Sequence, residues 1–191
     1  MYQPAWSIAV AILSNSSLLR STGQHRGVEV AIEAWPLLEH LLERGLRAAQ
    51  QEAAASGRTI SIVPKGLRAL LTNPSYSASA RFVEPDGQLA EAGQTIATFE
   101  AKYSPGPLAS RWPPRSHIFQ ALSTAAACDS PLAVLVYPRS FEPIWWDVAG
   151  FGGQPSHLAA IGVGLFSYRR GAGDIAAGQA LSKVLAGRPP P

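Results

Sequence analysis

The sequence predicts an α/β protein with three layers, α/β/α, around a mixed central sheet. Segments with helical periodicity alternate along the chain with short β-prone segments. The β-prone segments 77–83 and 94–103 flank a turn signal at 84–87 and so predict an antiparallel hairpin. An apolar run at 132–137 follows a helix and is typical of a strand buried on both faces. Because a helix that joins two strands of one sheet covers a face of that sheet, we expect helices on its faces.

The first part of the chain is predicted to hold two helices and two short elements. Apolar residues at helical spacing mark a helix at 4–20 and a longer helix at about 28–55, which Gly57 ends. Residues 59–63 alternate between apolar and polar side chains like a short strand. Residues 66–71 predict a helical turn.

The part that follows the hairpin is predicted to alternate between helices and strands. A proline-rich loop at 104–115 leads into a helix at 117–127, which precedes the apolar strand. Two further strands are expected at 144–148 and 161–166, and a last helix at 173–186.

Length and composition favour one lean domain. The chain has 191 residues, of which 15% are charged, and we expect one domain at 1–187 and a disordered tail at 188–191. The net charge of +3 is compatible with a nucleic-acid partner but is weak support for one. Lysine is rare, with Lys65, Lys102 and Lys183 only, so a lysine in a suggestive place is of interest.

Several classes of protein are excluded. The apolar stretch at 8–13 is shorter than the roughly 18 residues that span a bilayer, and no basic region precedes it as in a signal peptide. The single cysteine, Cys128, cannot form an internal disulfide, and no cysteines and histidines have the spacing of a zinc site. We therefore expect a cytoplasmic protein without a membrane partner.

The sharpest local feature is the pair Glu100 and Lys102 on the second hairpin strand. Side chains at i and i+2 leave the same face of a strand, so a carboxylate and an ammonium point the same way. Burying an unpaired lysine is costly, so a buried pair would suit a divalent metal and a phosphate. The alternative is a surface ion pair on an exposed sheet in a domain of unrelated function.

Two other polar residues could belong to the same site. Glu39 shares a helical stripe with Leu42 and Leu46, so it is either a boundary acid in water or an acid pointed at a site. Gln120 lies on a polar stripe of the helix that follows the hairpin and could reach over the sheet toward Lys102. Its alternative is a solvated helix face.

These segments together resemble a known nuclease pattern. The runs are Phe-Glu-Ala-Lys-Tyr at 99–103, His-Ile-Phe-Gln-Ala-Leu at 117–122 and Leu-Val-Tyr-Pro at 135–138. They are similar to the PD-(D/E)xK nuclease core, and more closely to the McrC family, the nuclease subunit of the McrBC modification-dependent restriction system. The resemblance covers about residues 2–150.

The resemblance implies a restriction-endonuclease-like fold and DNA cleavage with Mg²⁺ or Mn²⁺ in a restriction and antiviral defence system. It implies that Glu100 and the aspartate of the motif hold the metal, with Glu39 near them. By the same carry-over, Lys102 positions or activates the attacking water, and Gln120 orients Lys102 or the phosphate. The family also implies an AAA+ motor subunit, McrB-like, as a partner. That motor is a separate protein, because this chain has no GxxxxGK[ST] phosphate-binding loop.

The first acid of the motif has two alternative positions. Asp86 precedes Glu100 by 14 residues, which suits the usual gap and makes Asp86 a catalytic acid and metal ligand. If residues 85–87 form the hairpin turn instead, the acid position falls near Ser79 or Ala80, where no carboxylate is present. The chain would then be a catalytically inactive relative that binds DNA or a partner protein.

Overall fold

The computed structural model of the chain describes residues 35–73, 80–104, 106–107, 112–150 and 155–187. The predicted helix at 4–20 and the predicted tail at 188–191 lie outside these residues. In chain order the described elements are α1 (Trp35–Ala55), β1 (Ile60–Ile62), β2 (Arg68–Thr72), β3 (Ala80–Val83), β4 (Gly87–Glu91), β5 (Gln94–Ala101), α2 (Arg115–Ala127), β6 (Leu132–Tyr137), β7 (Phe141–Asp147), β8 (His157–Gly162), a 3₁₀ turn (Leu165–Ser167) and α3 (Ala172–Leu185).

Six of the strands form a mixed sheet in the spatial order β1-β4-β5-β6-β8-β7. The pairs β1–β4, β4–β5 and β7–β8 are antiparallel, whereas β5–β6 and β6–β8 are parallel. Helix α2 connects β5 to β6, as a crossover between parallel neighbours requires. Strands β2 and β3 pair with each other in a separate two-stranded sheet.

The helices cover both faces of the large sheet. Helices α1 and α3 pack against each other and share one core with alternate residues of β5, β6 and β8. Helix α2 forms a second core with the opposite face of β6 and β8, and it also contacts β2 and β3. All six residues of β6 are buried, as predicted for a strand with a helical layer on each side. The predicted three-layer α/β/α architecture with a mixed sheet is therefore confirmed.

Small residues let α1 approach α3 closely. A Cβ added at Gly178 of α3 would lie 2.6 Å from the Cβ of Ala48, so the contact requires glycine. None of the helices within the described residues combines the length and hydrophobicity that a bilayer-spanning segment requires.

The predicted hairpin is wrong in its first strand and in its turn. Strand β5 pairs with β4, whereas β3 pairs with β2. The helical turn predicted at 66–71 is also wrong, because β2 occupies most of that segment. The connection between β4 and β5 contains Ala92 and Gly93, both with positive φ, at 51° and 79°. Gly87 does not sit in a turn but opens β4, where a Cβ would lie 2.7 Å from Leu46 Cδ1 of α1. Position 87 therefore holds a glycine because α1 packs closely on β4 there.

The strand predicted at 161–166 is also misplaced. Strand β8 ends at Gly162, and Leu165–Ser167 form the 3₁₀ turn. The backbone at Gly164 has a φ of 67°, a left-handed conformation that interrupts an extended strand.

Candidate active site

The candidate site lies at the carboxyl end of β5, on the face that α2 covers. Glu100 is 2% exposed and Lys102 is 9% exposed. Lys102 Nζ donates to Glu100 Oε2 over 2.9 Å. The backbone N–H of Lys102 donates to the carbonyl of Val136 at 2.8 Å, so pairing with β6 continues past the end of β5. The pair is therefore buried, unlike the ion pair on an exposed sheet that was its alternative.

Helix α2 brings Gln120 to the same carboxylate. Gln120 Nε2 donates to Glu100 Oε2 over 2.8 Å, so this oxygen accepts from both Gln120 and Lys102. The other oxygen, Glu100 Oε1, is buried and has no hydrogen-bond partner. A buried acceptor without a donor is unfavourable in the folded protein and marks a place where a cation or water would bind.

The strand register places Asp86 opposite Glu100. Gly87 pairs with Phe99 in the β4–β5 ladder, so the preceding residue, Asp86, faces Glu100 across the two strands. Asp86 Oδ2 accepts from the backbone N–H of Ala101 at 2.7 Å. Burial, and then the charge of Glu100, raise the pKa of Asp86 to about 6. The two carboxylates are thus close enough to repel each other.

Of the two alternative positions for the first acid, Asp86 is the one that lies beside Glu100. The other alternative places it near Ser79 or Ala80. Ser79 lies outside the described residues, and Ala80 begins β3 in the small sheet.

Glu39 lies at the margin of this cluster, near the start of α1. Its side chain is 25% exposed, and Glu39 Oε2 accepts from Lys65 Nζ over 2.8 Å. Partial burial lowers the pKa of Lys65, but the hydrogen bond to Glu39 and the charges of Glu39, Asp86 and Glu84 outweigh this effect and raise it. Glu39 also contributes to the raised pKa of Asp86. It is therefore a boundary acid and, at the same time, part of the electrostatic surroundings of Asp86.

Two polar residues that the sequence did not single out for the site are His117, on which the charge of Lys102 acts, and Lys65, on which the charges of Glu39 and Asp86 act. His117 Nδ1 lies 3.1 Å from the hydroxyl oxygen of Tyr137, which ends β6. Burial, and then the charge of Lys102, lower the pKa of His117 and so favour its neutral imidazole. Lys65, the other missed residue, carried a signal in the rarity of lysine in this chain.

The carboxylates do not form a complete set of metal ligands by themselves. In the described part of the chain, no group of three or more His, Cys, Asp or Glu side chains is arranged to hold a metal ion. The predicted set of Glu39, Asp86 and Glu100 is therefore not assembled as one coordination sphere. Mg²⁺ keeps several waters and usually binds one or two carboxylates together with substrate phosphates. Asp86 and Glu100, with the unpartnered Oε1 of Glu100, fit that mode of binding.

Comparison of the chain with models of known protein families and with curated proteins gives no match.

The raised pKa of Asp86 predicts how stability depends on pH in metal-free buffer. The carboxyl titrates near pH 4 when unfolded and at about 6 when folded. Between these values the folded state binds more protons, so the contribution of Asp86 to stability falls as pH rises. The unfolding free energy of Asp86→Asn minus that of the wild type is therefore expected to increase by about 1–2 kcal/mol as pH rises from 4.5 to 6.5.

Urea denaturation at both pH values measures this difference. Glu142→Gln, which removes an exposed carboxylate on β7, is the control and should show no such gain. A difference between wild type and Asp86→Asn that stays constant with pH would contradict the assignment.

Proposed function

We propose that this protein is a metal-dependent DNA endonuclease of the PD-(D/E)xK type, similar to the McrC family. One observation carries the proposal: Asp86 faces Glu100, which accepts a hydrogen bond from Lys102 through one oxygen and keeps its other oxygen buried without a hydrogen-bond partner. Two carboxylates can hold a divalent ion and an ammonium can stabilise negative charge on a phosphate, so this set of residues suits metal-assisted hydrolysis of a phosphodiester.

Each residue has a definite part in this reaction. Asp86 and Glu100 would hold Mg²⁺ or Mn²⁺, which when bound supplies a Lewis acid and lowers the pKa of a water. Lys102 orients the attacking water and stabilises negative charge on the phosphate. Gln120 holds Glu100 in place through its amide N–H. The water oxygen bonds to phosphorus and releases a proton to solvent, the bond to the leaving sugar oxygen breaks, and that oxygen takes up a proton from solvent.

The surface around the site supports a nucleic-acid substrate. Tyr103, directly after Lys102, is exposed, and Phe119, directly before Gln120, is 51% exposed. The guanidinium of Arg115 lies over the Phe119 ring, 5.1 Å from its centre. Exposed rings next to a cationic side chain are typical of surfaces on which bases stack near a phosphate backbone.

The resemblance to the McrC family also supports a proposed partner and setting. We infer that the nuclease acts in the cytoplasm within a McrBC-like restriction and defence system, recruited by a McrB-like AAA+ motor. The small net charge of +3 fits a nuclease that relies on such a partner for part of its affinity for DNA.

Cleavage of supercoiled plasmid DNA tests the proposed activity. We expect nicking in Mg²⁺ or Mn²⁺ that stops when the metal is chelated. Glu100→Gln should lower the rate at least about 100-fold, because it removes a charge that binds the metal. The control is Glu142→Gln, an exposed acid on β7 that should leave the rate unchanged. Cleavage that survives chelation, or that Glu100→Gln leaves intact, would contradict the proposal.

A second candidate function is DNA or partner binding without cleavage. It is favoured by the lack of a three-ligand metal group in the described ranges and by the two hydrogen bonds that already occupy Glu100 Oε2. This candidate predicts that fluorescence anisotropy detects DNA binding while the plasmid assay gives no product with either metal. Metal-dependent nicking would exclude it.

A further inference from the structure

The small sheet of β2 and β3, which we call the ribbon, exposes large apolar side chains to solvent. Leu71 is 63% exposed and Phe82 is 54% exposed. Ala69 pairs with Phe82, and Leu71 pairs with Arg81. Because adjacent residues of a strand point to opposite faces, Arg81 and Phe82 lie on opposite faces of the ribbon, and both are exposed. The ribbon therefore presents side chains to solvent on both of its faces.

The charges of the ribbon are all positive. Strands β2 and β3 contain Arg68 and Arg81 and no aspartate or glutamate. Arg68 contacts the thiol of Cys128, directly after α2, and so helps to hold the ribbon on that helix. Arg81 takes part in none of the ion pairs formed among the described residues. An exposed guanidinium that no carboxylate neutralises can bind a phosphate.

Both ends of the ribbon are attached to the candidate active site. Val83, the last residue of β3, precedes Asp86 by three residues, so their Cα atoms lie within about 11 Å of each other. Lys65, three residues before β2 begins, donates to Glu39 at the margin of the site. Helix α2, which carries Gln120, contacts both strands of the ribbon. A polynucleotide with one phosphate in the site would therefore extend past the ribbon.

We propose that the ribbon binds duplex DNA beside the phosphate to be cleaved. This inference rests on the proposed function, which brings DNA to Asp86 and Glu100. Paired strands lie about 4.8 Å apart, and the major groove, about 12 Å wide, admits a two-stranded ribbon. Arg81 binds a backbone phosphate from one face of the ribbon, and Phe82 contacts the apolar edges of bases from the other. DNA is favoured over a protein partner because the ribbon has no carboxylate that would repel a phosphate.

Fluorescence anisotropy with a labelled DNA duplex in chelator measures binding without cleavage. At 0.1 M salt, Arg81→Gln should raise the Kd about five- to tenfold, and the slope of log K against log salt should become shallower by about one. Phe82→Ser should raise the Kd at least about threefold and leave that slope unchanged. Arg47→Gln is the matched control, since it removes an exposed arginine of α1, on the opposite side of the large sheet, and should change neither quantity.

Different results overturn different statements. DNA binding by Arg81→Gln that equals that of the wild type, or no DNA binding by the wild type, would overturn the role of the ribbon. If both ribbon variants weaken binding but the wild type does not nick plasmid, the nuclease activity is wrong and the role of the ribbon stands. If Phe82→Ser leaves DNA binding unchanged and lowers the mass measured by light scattering, the ribbon is instead an interface between two copies of the chain. Because both side chains are exposed, the variants should fold normally, and circular dichroism checks this.

Discussion

Replacement of Lys102 by glutamine is expected to slow DNA cleavage by about 100- to 1,000-fold while the protein stays folded. Lys102 places a buried ammonium 2.9 Å from Glu100. A phosphate bound through a metal ion at Asp86 and Glu100 would lie near this ammonium. Glutamine keeps an N–H donor for Glu100 but lacks the charge that stabilises the transition state. Initial rates on supercoiled plasmid in Mn²⁺ measure the loss.

The same variant should bind Mn²⁺ more tightly than the wild type, because it lacks a positive charge beside the metal site. A merely structural role for Lys102 would not produce slower cleavage together with tighter metal binding. Lys183→Gln makes the same chemical change at an exposed position and should alter neither property. If Lys102→Gln cleaves DNA within about threefold of the wild type, Lys102 is not part of the reaction.

The fold was predictable where burial decides the local structure. The apolar run of β6 and the periodic helices α2 and α3 carry their own signals, and they lie close to where the sequence placed them. Strand β4 was missed because Gly-Gln-Leu-Ala-Glu has low intrinsic β-propensity and is a strand only through its two neighbours. Tertiary packing, above all the approach of α1 to Gly87, overrides the turn signal there.

The candidate site, too, was predictable only where a local pattern decides the placement of a side chain. The spacing of Glu100 and Lys102 is a local property of a strand, so the sequence could place both side chains on one face. Asp86 stayed ambiguous, because Pro-Asp-Gly is the same sequence in a turn and at the start of a strand, and only the pairing of β4 with β5 separates the two. The approach of Lys65 to Glu39 joins residues 26 positions apart, and no local pattern encodes it.

Replacement of Asp86 by asparagine is expected to stabilise the metal-free protein and to weaken metal binding. At pH 7.5 the carboxylate is charged despite burial and the nearby charge of Glu100, which together raise its pKa to about 6. Asparagine keeps an oxygen for the N–H of Ala101 but carries no charge. We expect the unfolding free energy to rise by about 1–2 kcal/mol and Tm by about 3–6 °C. Mn²⁺ affinity should fall at least about tenfold, and DNA cleavage should be lost.

Both effects have one cause: a charged Asp86 that is buried beside the charge of Glu100 destabilises the metal-free protein, and a bound cation would neutralise that charge. Thermal denaturation with chelator and with excess Mn²⁺ separates the two effects. Mn²⁺ should raise the Tm of the wild type and barely change that of Asp86→Asn. The Tm difference between the two proteins that is measured in chelator should therefore narrow or reverse in Mn²⁺. Glu142→Gln should match the wild type in both buffers. An Asp86→Asn variant less stable than the wild type in chelator would contradict the electrostatic account. An equal Mn²⁺ shift in both proteins would show that Asp86 is not a metal ligand.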